Sequence, residues 1–335
     1  MCQSDYDKAH PVWYGKKMRL WTGFLLFLLY LSLTLSFTPE SSAAPQAISP
    51  GDSDLPSARE APFELSWHSP EPGLELGLTT FSKTQAQQNA SVFVVLRITP
   101  TKQTFALYMA SQTGKALPPA GWSEQKHLRA GINAGMYLPD QLTNTGYMRS
   151  GAFVNNNKLG ARLGAFFVAR PRNANLPPAD IMDKERPNWQ ARLEQYDIVA
   201  QNYRLLNSRG ELLWPEGIEA HSIAAIAKDG AGRILFILSQ EPLTVQVFAR
   251  YLQRLPLDVG TVMYVEGGRQ AGLFVRLDTP DKTPGNPIEA LPGATVHPVS
   301  DGVVMVWRGK QSLLRLPGNP EAVLPNIIGV KMHNY

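Results

Sequence analysis

The sequence predicts an α+β fold: a mixed, largely antiparallel β-sheet with a few helices packed on it, in a single domain. Three observations predict it. Short β-branched and aromatic runs recur along the chain, turn signals separate them, and helical periodicity appears in only two places. Of the 335 residues, 44% are hydrophobic and 18% charged, which is enough apolar mass for a core that needs no disulfide. Cys2 is the one cysteine, so the chain beyond it has no thiol for a disulfide, a zinc thiolate or a nucleophile.

The N-terminal third begins with an apolar run from Leu20 to Phe37, flanked by Lys16, Lys17 and Arg19 and followed by the small residues Ser41 to Ala44. Residues 1–43 read as a signal peptide or an uncleaved N-terminal membrane anchor, since the run is about as long as the ~17–20 residues that span a bilayer. Basic residues on its N-terminal side leave the rest of the chain outside the cytoplasm in either case. The expected location is periplasmic or extracellular, with tethering to the inner membrane if the segment stays. Residues 44–62 are rich in Pro, Ser and Ala and read as a linker. The folded domain is expected over residues 63–335.

Within it, Glu75 to Ser82, Ser91 to Ile98 and Thr104 to Met109 are strand candidates, with Val92 to Leu96 apolar enough to lie mid-sheet. Leu128 to Tyr137 follows, carrying a polar Asn133 among small and apolar neighbours. Gly146 to Gly151 and Leu163 to Ala169 read as further strands, with a turn at Asn155 to Asn157. Residues 171–188 are rich in Pro and Asn and read as a surface excursion. Trp189 to Val199 has helical character, and Gln201 to Arg204 comes after it. Ile223 to Ala227 is a buried-strand pattern, and Lys228-Asp229-Gly230 turns it into the Ile234 strand. After Arg276 the sequence suggests Pro-rich loops, one strand from Val303 to Trp307, and a polar tail.

The most ordered stretch runs from Ile234 to Arg276. A short apolar strand leads to Thr244, whose hydroxyl can cap a helix. Val245, Phe248, Ala249, Leu252 and Leu255 then fall on one helical face. Thr261 to Val265 forms a second strand that runs into Glu266-Gly267-Gly268. A carboxylate at a strand end followed by glycines that let a ligand approach the backbone suits a site; an ordinary Gly-Gly turn with an exposed Glu fits the same letters.

The net charge of +4 is mild and no basic aromatic stripe stands out, so nucleic acid is not an expected partner. The chain has no phosphate-loop motif, no HExxH and no GxSxG elbow. None of its six histidines form a pair with helical metal-ligand spacing, so no cofactor is expected and a divalent cation is not indicated. What remains is a set of polar residues near predicted strand ends: Asn133, Arg204, His221, Ser222 and Glu266. Asn133 could equally close a turn, and His221 could be a hydrogen-bonded structural residue.

The order of these pieces resembles the phosphodiester glycosidase family, whose members include the domain that removes N-acetylglucosamine from a phosphodiester to uncover mannose 6-phosphate. Asn133-Ala134-Gly135-Met136-Tyr137 is similar to the family's Asn-Gly-Gly-Phe/Tyr motif. Gln201-Asn202-Tyr203-Arg204-Leu205 resembles its Gln-Ser…Arg-Leu segment. His221-Ser222-Ile223-Ala224-Ala225-Ile226 before Asp229-Gly230 resembles its Arg-Thr/Ser-Ala-Ile-Gly strand and Asp-Gly turn. Val265-Glu266-Gly267-Gly268-Arg269-Gln270 stands where the family has Leu-Asp-Gly-Gly-Gly-Ser. The resemblance covers roughly Ala130 to Arg276 and departs in replacing the family Asp with Glu266, Arg with His221, and the final Ser with Gln270 or Ala271.

The resemblance implies hydrolysis of a sugar-1-phosphodiester at its glycosidic C–O bond, in an envelope or extracellular glycan. Glu266 would be the carboxyl group at the anomeric carbon, as nucleophile, base or electrostatic stabiliser. Arg204, Arg269 or a cationic His221 would balance the phosphate charge. Asn133, Ser222, Gln201, Gly267, Gly268 and Arg269 would contact substrate. The changed motif also admits a catalytically silent module that binds a phosphosugar or polysaccharide.

Overall fold

Two antiparallel sheets stacked face to face carry the structure. The computed structural model describes residues 65–81, 91–278, 291, 294–299, 302–309 and 323–332. These all lie in one compact unit, Pro50–Tyr335. The expected leader or anchor at 1–43 and the linker at 44–62 lie outside the described residues. Among the described residues no helix is long and apolar enough to cross a membrane.

The larger sheet runs in the order β1 (Ser66–Glu71), β2 (Leu74–Phe81), β3 (Ser91–Ile98), β12 (Ile234–Leu243), β11 (His221–Asp229), β13 (Val259–Gly267), β10 (Tyr196–Leu206), β6 (Met148–Ser150) and β7 (Phe153–Asn156). A branch adds β8 (Ala165–Pro171) on β10 and β9 (Ala179–Asp183) on β8. The smaller sheet runs β15 (Thr295–Val299), β16 (Gly302–Arg308), β14 (Gly272–Asp278), β5 (Leu128–Asn133), β17 (Asn326–Lys331) and β4 (Phe105–Met109). Every pairing among the described strands is antiparallel.

Side-chain alternation explains the layers. On β3, Val94, Leu96 and Ile98 join Phe105, Ile132, Leu273, Trp307 and Ile328 in the core between the sheets. Phe93 and Val95 point the other way, into a second core under helix α4 (Val245–Arg254). The strand is apolar at successive positions because both its faces are covered. Thr244 caps α4 as its position predicts, its hydroxyl oxygen accepting from the Val247 N–H at 3.2 Å. Val245, Phe248, Ala249, Tyr251 and Leu252 form the helix's buried face, and Phe248 stacks on Phe93 with ring centroids 5.3 Å apart.

Short helices cover the remaining faces. After the single turn α1 (Ala110–Thr113), α2 (Pro119–Lys126) starts on a proline, which costs nothing at a helix's first position. Its buried Trp122 packs with Phe274, Val304, Val306 and Ile327 on the outer face of the smaller sheet and donates its indole N–H to the Leu324 carbonyl at 2.8 Å. Helix α3 (Trp189–Leu193) closes a small cluster with Phe166, Val168, Met182 and Val199.

Four expectations are corrected. The single sheet is two sheets. The helical stretch at Trp189 to Val199 stops at Leu193, and Tyr196 begins the long strand β10. Pairing with β8 on one edge and β6 on the other, with Val199 packed one way and Ile198 and Ala200 the other, overrides the local pattern. The surface excursion at 171–188 contains β9, of which Ala179 to Met182 are buried. The polar tail contains β17, an inner strand between β5 and β4.

Candidate functional site

The site grows from one irregularity in β13. Ala224 pairs with Glu266 and Ala225 with Tyr264, so Val265 is a bulge residue without a partner. Paired side chains share a face. Ala224 belongs to the core between the sheets and Ala225 to the core under α4. Strict alternation would put Glu266 on the outer face with Tyr264; the bulge turns it inward instead. The chain then crosses from one sheet to the other through a 3-10 turn, Gly268–Gln270, before β14. The Gly-Gly pair is therefore a sheet-to-sheet crossover and not a hairpin, and Glu266 stands at its mouth.

Glu266 is 7% exposed. Burial pushes its carboxyl up to about 8, against the opposing pull of the Gly267 N–H and the Arg308 charge. The Gly267 N–H donates to Oε1 at 2.9 Å. At neutral pH the group is therefore mostly protonated, an acid rather than a carboxylate. Two phenols lie within its field. Burial, with Glu266 second, raises Tyr264; burial, then Glu266, raises the half-buried Tyr137, while Arg308 opposes.

Tyr264 meets His221, whose Nε2 lies 3.1 Å from the phenol oxygen. The Tyr264 ring also packs on Trp214 at 4.8 Å. Burial pulls His221 below the usual imidazole value, with Glu219 only partly offsetting it. The expected cationic His221 is thus a neutral ring at pH 7. Gly267 is required by this packing: a Cβ there would lie 2.0 Å from the Tyr264 oxygen and 2.8 Å from His221 Cδ2. Gly268 has a φ of 63°, the left-handed region that glycine enters without strain.

The crossover is braced from three sides. Asn133, the last residue of β5, donates from Nδ2 to the Gln270 carbonyl at 3.0 Å and accepts the Gly272 N–H on Oδ1 at 2.8 Å. Arg308 donates from Nη2 to the Arg269 carbonyl at 3.1 Å, and the Gly309 N–H reaches the Ala271 carbonyl at 2.8 Å. Ser222 donates its hydroxyl to the Gln240 carbonyl, and Gln240 in turn donates to the Arg308 carbonyl at 3.4 Å. Beside Asn133, buried Asn202 donates to the Ala134 carbonyl at 2.8 Å. A Cβ on Gly135 would lie 2.4 Å from Asn144 Oδ1 and 2.5 Å from Asn202 Oδ1, so only glycine passes there.

Of the residues singled out from the sequence, Glu266, His221, Asn133, Ser222, Gly267, Gly268 and Arg269 gather around this crossover. Gln201 and Arg204 do not, although both lie on β10. Gln201 is fully buried and spends its amide on backbone: it accepts from Tyr147 and Gly160 and donates to the Gly160 and Leu163 carbonyls. No hydrogen-bonding position is left for a substrate. Arg204 turns away to Asp183 and, at 2.8 Å, to Glu185. Those two carboxylates line a cavity of about 610 Å³ at the opposite, Val259 end of β13. Tyr137, Tyr264, Arg308 and Asn202 were missed. Tyr137 closes the Asn133 motif and Asn202 lies inside the Gln201 segment, so both were within reach; nothing local marks Arg308. Among the described residues no three of His, Cys, Asp and Glu are grouped closely enough to hold a metal ion.

No protein-family model matches the chain, and no curated protein matches it. Solved structures do. The chain is similar to the zebrafish N-acetylglucosamine-1-phosphodiester alpha-N-acetylglucosaminidase catalytic domain, auto-inhibited by its pro-peptide, with a TM-score of 0.51 and 12% identity over 82% of this chain and 89% of that one. It also matches a hypothetical protein from Synechocystis (TM-score 0.49, 11% identity, 80% and 63% covered). A further match is an exported protein from Burkholderia pseudomallei K96243 (TM-score 0.39, 10% identity, 56% and 69% covered). The fold is thus an α+β sandwich distantly related to that of a phosphodiester glycosidase catalytic domain.

Proposed function

We propose that this chain is an exported hydrolase that cleaves a sugar-1-phosphodiester at the C1–O bond, with Glu266 as its proton-handling group. One observation carries the reading: a buried carboxyl, held at about 8, stands at the crossover of a fold shared with a domain named for that reaction. A protonated carboxyl in a dry site is a general acid. It would give its proton to the bridging phosphate oxygen as the C1–O bond breaks. Water would then add to C1 and return a proton to the carboxylate. The positive charge developing on the sugar ring favours the carboxylate that the donation leaves behind. His221 and Tyr264 hold each other beside Gly267, while Asn133 and Ser222 support backbone that shapes the site. The basic-flanked apolar segment at 20–37 supports reading the substrate as an envelope or extracellular glycan.

A second reading, a silent module that binds a phosphosugar, is favoured by one feature. Among the described residues Arg308 is the charged side chain that acts on Glu266, whereas most glycosidases work with a pair of carboxyl groups. Phosphorus NMR of a panel of sugar-1-phosphodiesters with the full chain separates the two. The hydrolase reading expects phosphomonoester to appear, activity to fall as pH rises through 8, and Glu266→Gln to abolish turnover. Saturable binding without product would overturn it in favour of the silent module.

A further inference from the structure

We propose that Arg308 forms the anion subsite of this centre and receives the phosphate of a sugar-phosphate ligand, the part that sequence resemblance gave to Arg204, Arg269 or His221. The inference rests on the phosphosugar reading above, in either its hydrolytic or its silent form.

The argument begins with elimination. A phosphodiester needs a fixed cation close to the reacting oxygen. Arg204 is committed to Asp183 and Glu185, and burial lowers His221, which leaves Arg269 on the turn itself and Arg308 beside it. Arg308 ends β16 directly opposite Gly272, the first residue of β14, and so sits against the same crossover that Glu266 enters. Its guanidinium is placed, not loose. Nη2 is tied to the Arg269 carbonyl, and Nη1 lies 2.7 Å from where a Cβ on residue 272 would be. Only a glycine at that position lets the side chain lie across the strand. The backbone is held too, by Gln240 on the Arg308 carbonyl and by the Gly309 N–H on Ala271.

From that position its charge reaches both Glu266 and Tyr137. An acid, a phenol and a guanidinium are thus electrostatically linked at this end of β13. An arginine suits a phosphate there better than a lysine would, because its planar fork matches the geometry of phosphate oxygens while a lysine is a point charge.

The test compares Arg308→Gln and Arg308→Lys with the wild-type chain, each checked for an intact thermal transition. The substrates are a sugar-1-phosphodiester and the neutral 4-nitrophenyl glycoside of the same sugar; binding of the corresponding sugar 1-phosphate is measured by calorimetry. The subsite predicts that Arg308→Gln weakens sugar 1-phosphate binding and raises KM for the phosphodiester by tenfold or more. The loss on the neutral glycoside should be at least tenfold smaller than that on the phosphodiester, and Arg308→Lys should recover part of the phosphodiester loss. If Arg308→Gln does not fold, Arg308→Lys carries the comparison, with a smaller loss confined to phosphate-bearing ligands. Equal losses on both substrates with unchanged sugar 1-phosphate binding would overturn the proposal and leave Arg308 as a brace of the crossover. A wild-type chain that binds no sugar 1-phosphate would overturn it as well. If the wild type turns over neither substrate, yet binds sugar 1-phosphate in a way that Arg308→Gln abolishes, the hydrolase reading falls and the subsite stands.

Discussion

Replacing Glu266 by Gln should make the protein more stable, and by an amount that depends on pH. The carboxyl moves from its ordinary 4.5 to about 8 on folding. Between those values the folded chain holds a proton that the unfolded chain has released, so stability falls as pH rises from 4.5 through 8 and is flat above. The sign is that of a carboxyl raised by burial, opposite to one held down by a salt bridge. At about 1.4 kcal/mol per pH unit, the cost of folding around this group is near zero at pH 4, roughly 3 kcal/mol at pH 7 and about 5 kcal/mol at pH 9. The Glu266→Gln variant would carry no such cost, and its amide oxygen can still accept the Gly267 N–H. Urea midpoints of wild type and variant at pH 4, 7 and 9 read the difference directly, because every other titrating group cancels. A variant equal to wild type at all three pH values, or less stable at pH 9, would refute the claim that this carboxyl is buried and protonated.

Two further outcomes follow from the placement of β10. Arg204→Gln should cost about 2 kcal/mol in urea denaturation, since it strands the mostly buried Asp183 carboxylate, yet leave sugar-phosphodiester turnover within threefold; a large loss of turnover would return Arg204 to the site. Gln201→Ala should cost about 3 kcal/mol, because the Tyr147 and Gly160 N–H groups and the Leu163 carbonyl lose the side chain that holds them, while the Gly160 carbonyl keeps Lys184, and a cost below about 1 kcal/mol would show that the local loop repacks.

Much of this architecture can be read from short-range pattern. The run at Val92 to Leu96, the Thr244 cap and the α4 face each depend on neighbours within a few residues, and each is where the sequence places it. The strands that went unread depend on distant partners. Asn326 to Lys331 is too short and mixed to declare itself, and becomes an inner strand only because β4 and β5 flank it. Ala179 to Asp183 likewise needs β8. At the site, Glu266 was legible as an acid ahead of two glycines, but its inward turn comes from a bulge at Val265 that no letter announces. Arg204 and Gln201 enter the expected site through the likeness of Gln201–Leu205 to a family segment. Arg204 shares the strand face of Asn202, but Asp183 and Glu185 draw its side chain away, and backbone groups of the 146–163 region absorb Gln201. Arg308 lies 42 residues beyond Glu266 by number and meets it only through the pairing of β14 with β16.

Hydrolysis in water enriched in oxygen-18 puts the central proposal to the most direct test. The full chain is incubated with a sugar-1-phosphodiester and both products are weighed by mass spectrometry. Cleavage at C1–O with Glu266 as acid predicts one heavy oxygen on the sugar, none on the phosphomonoester, and no product at all from Glu266→Gln. Heavy oxygen on the phosphate, or undiminished product from that variant, would contradict it.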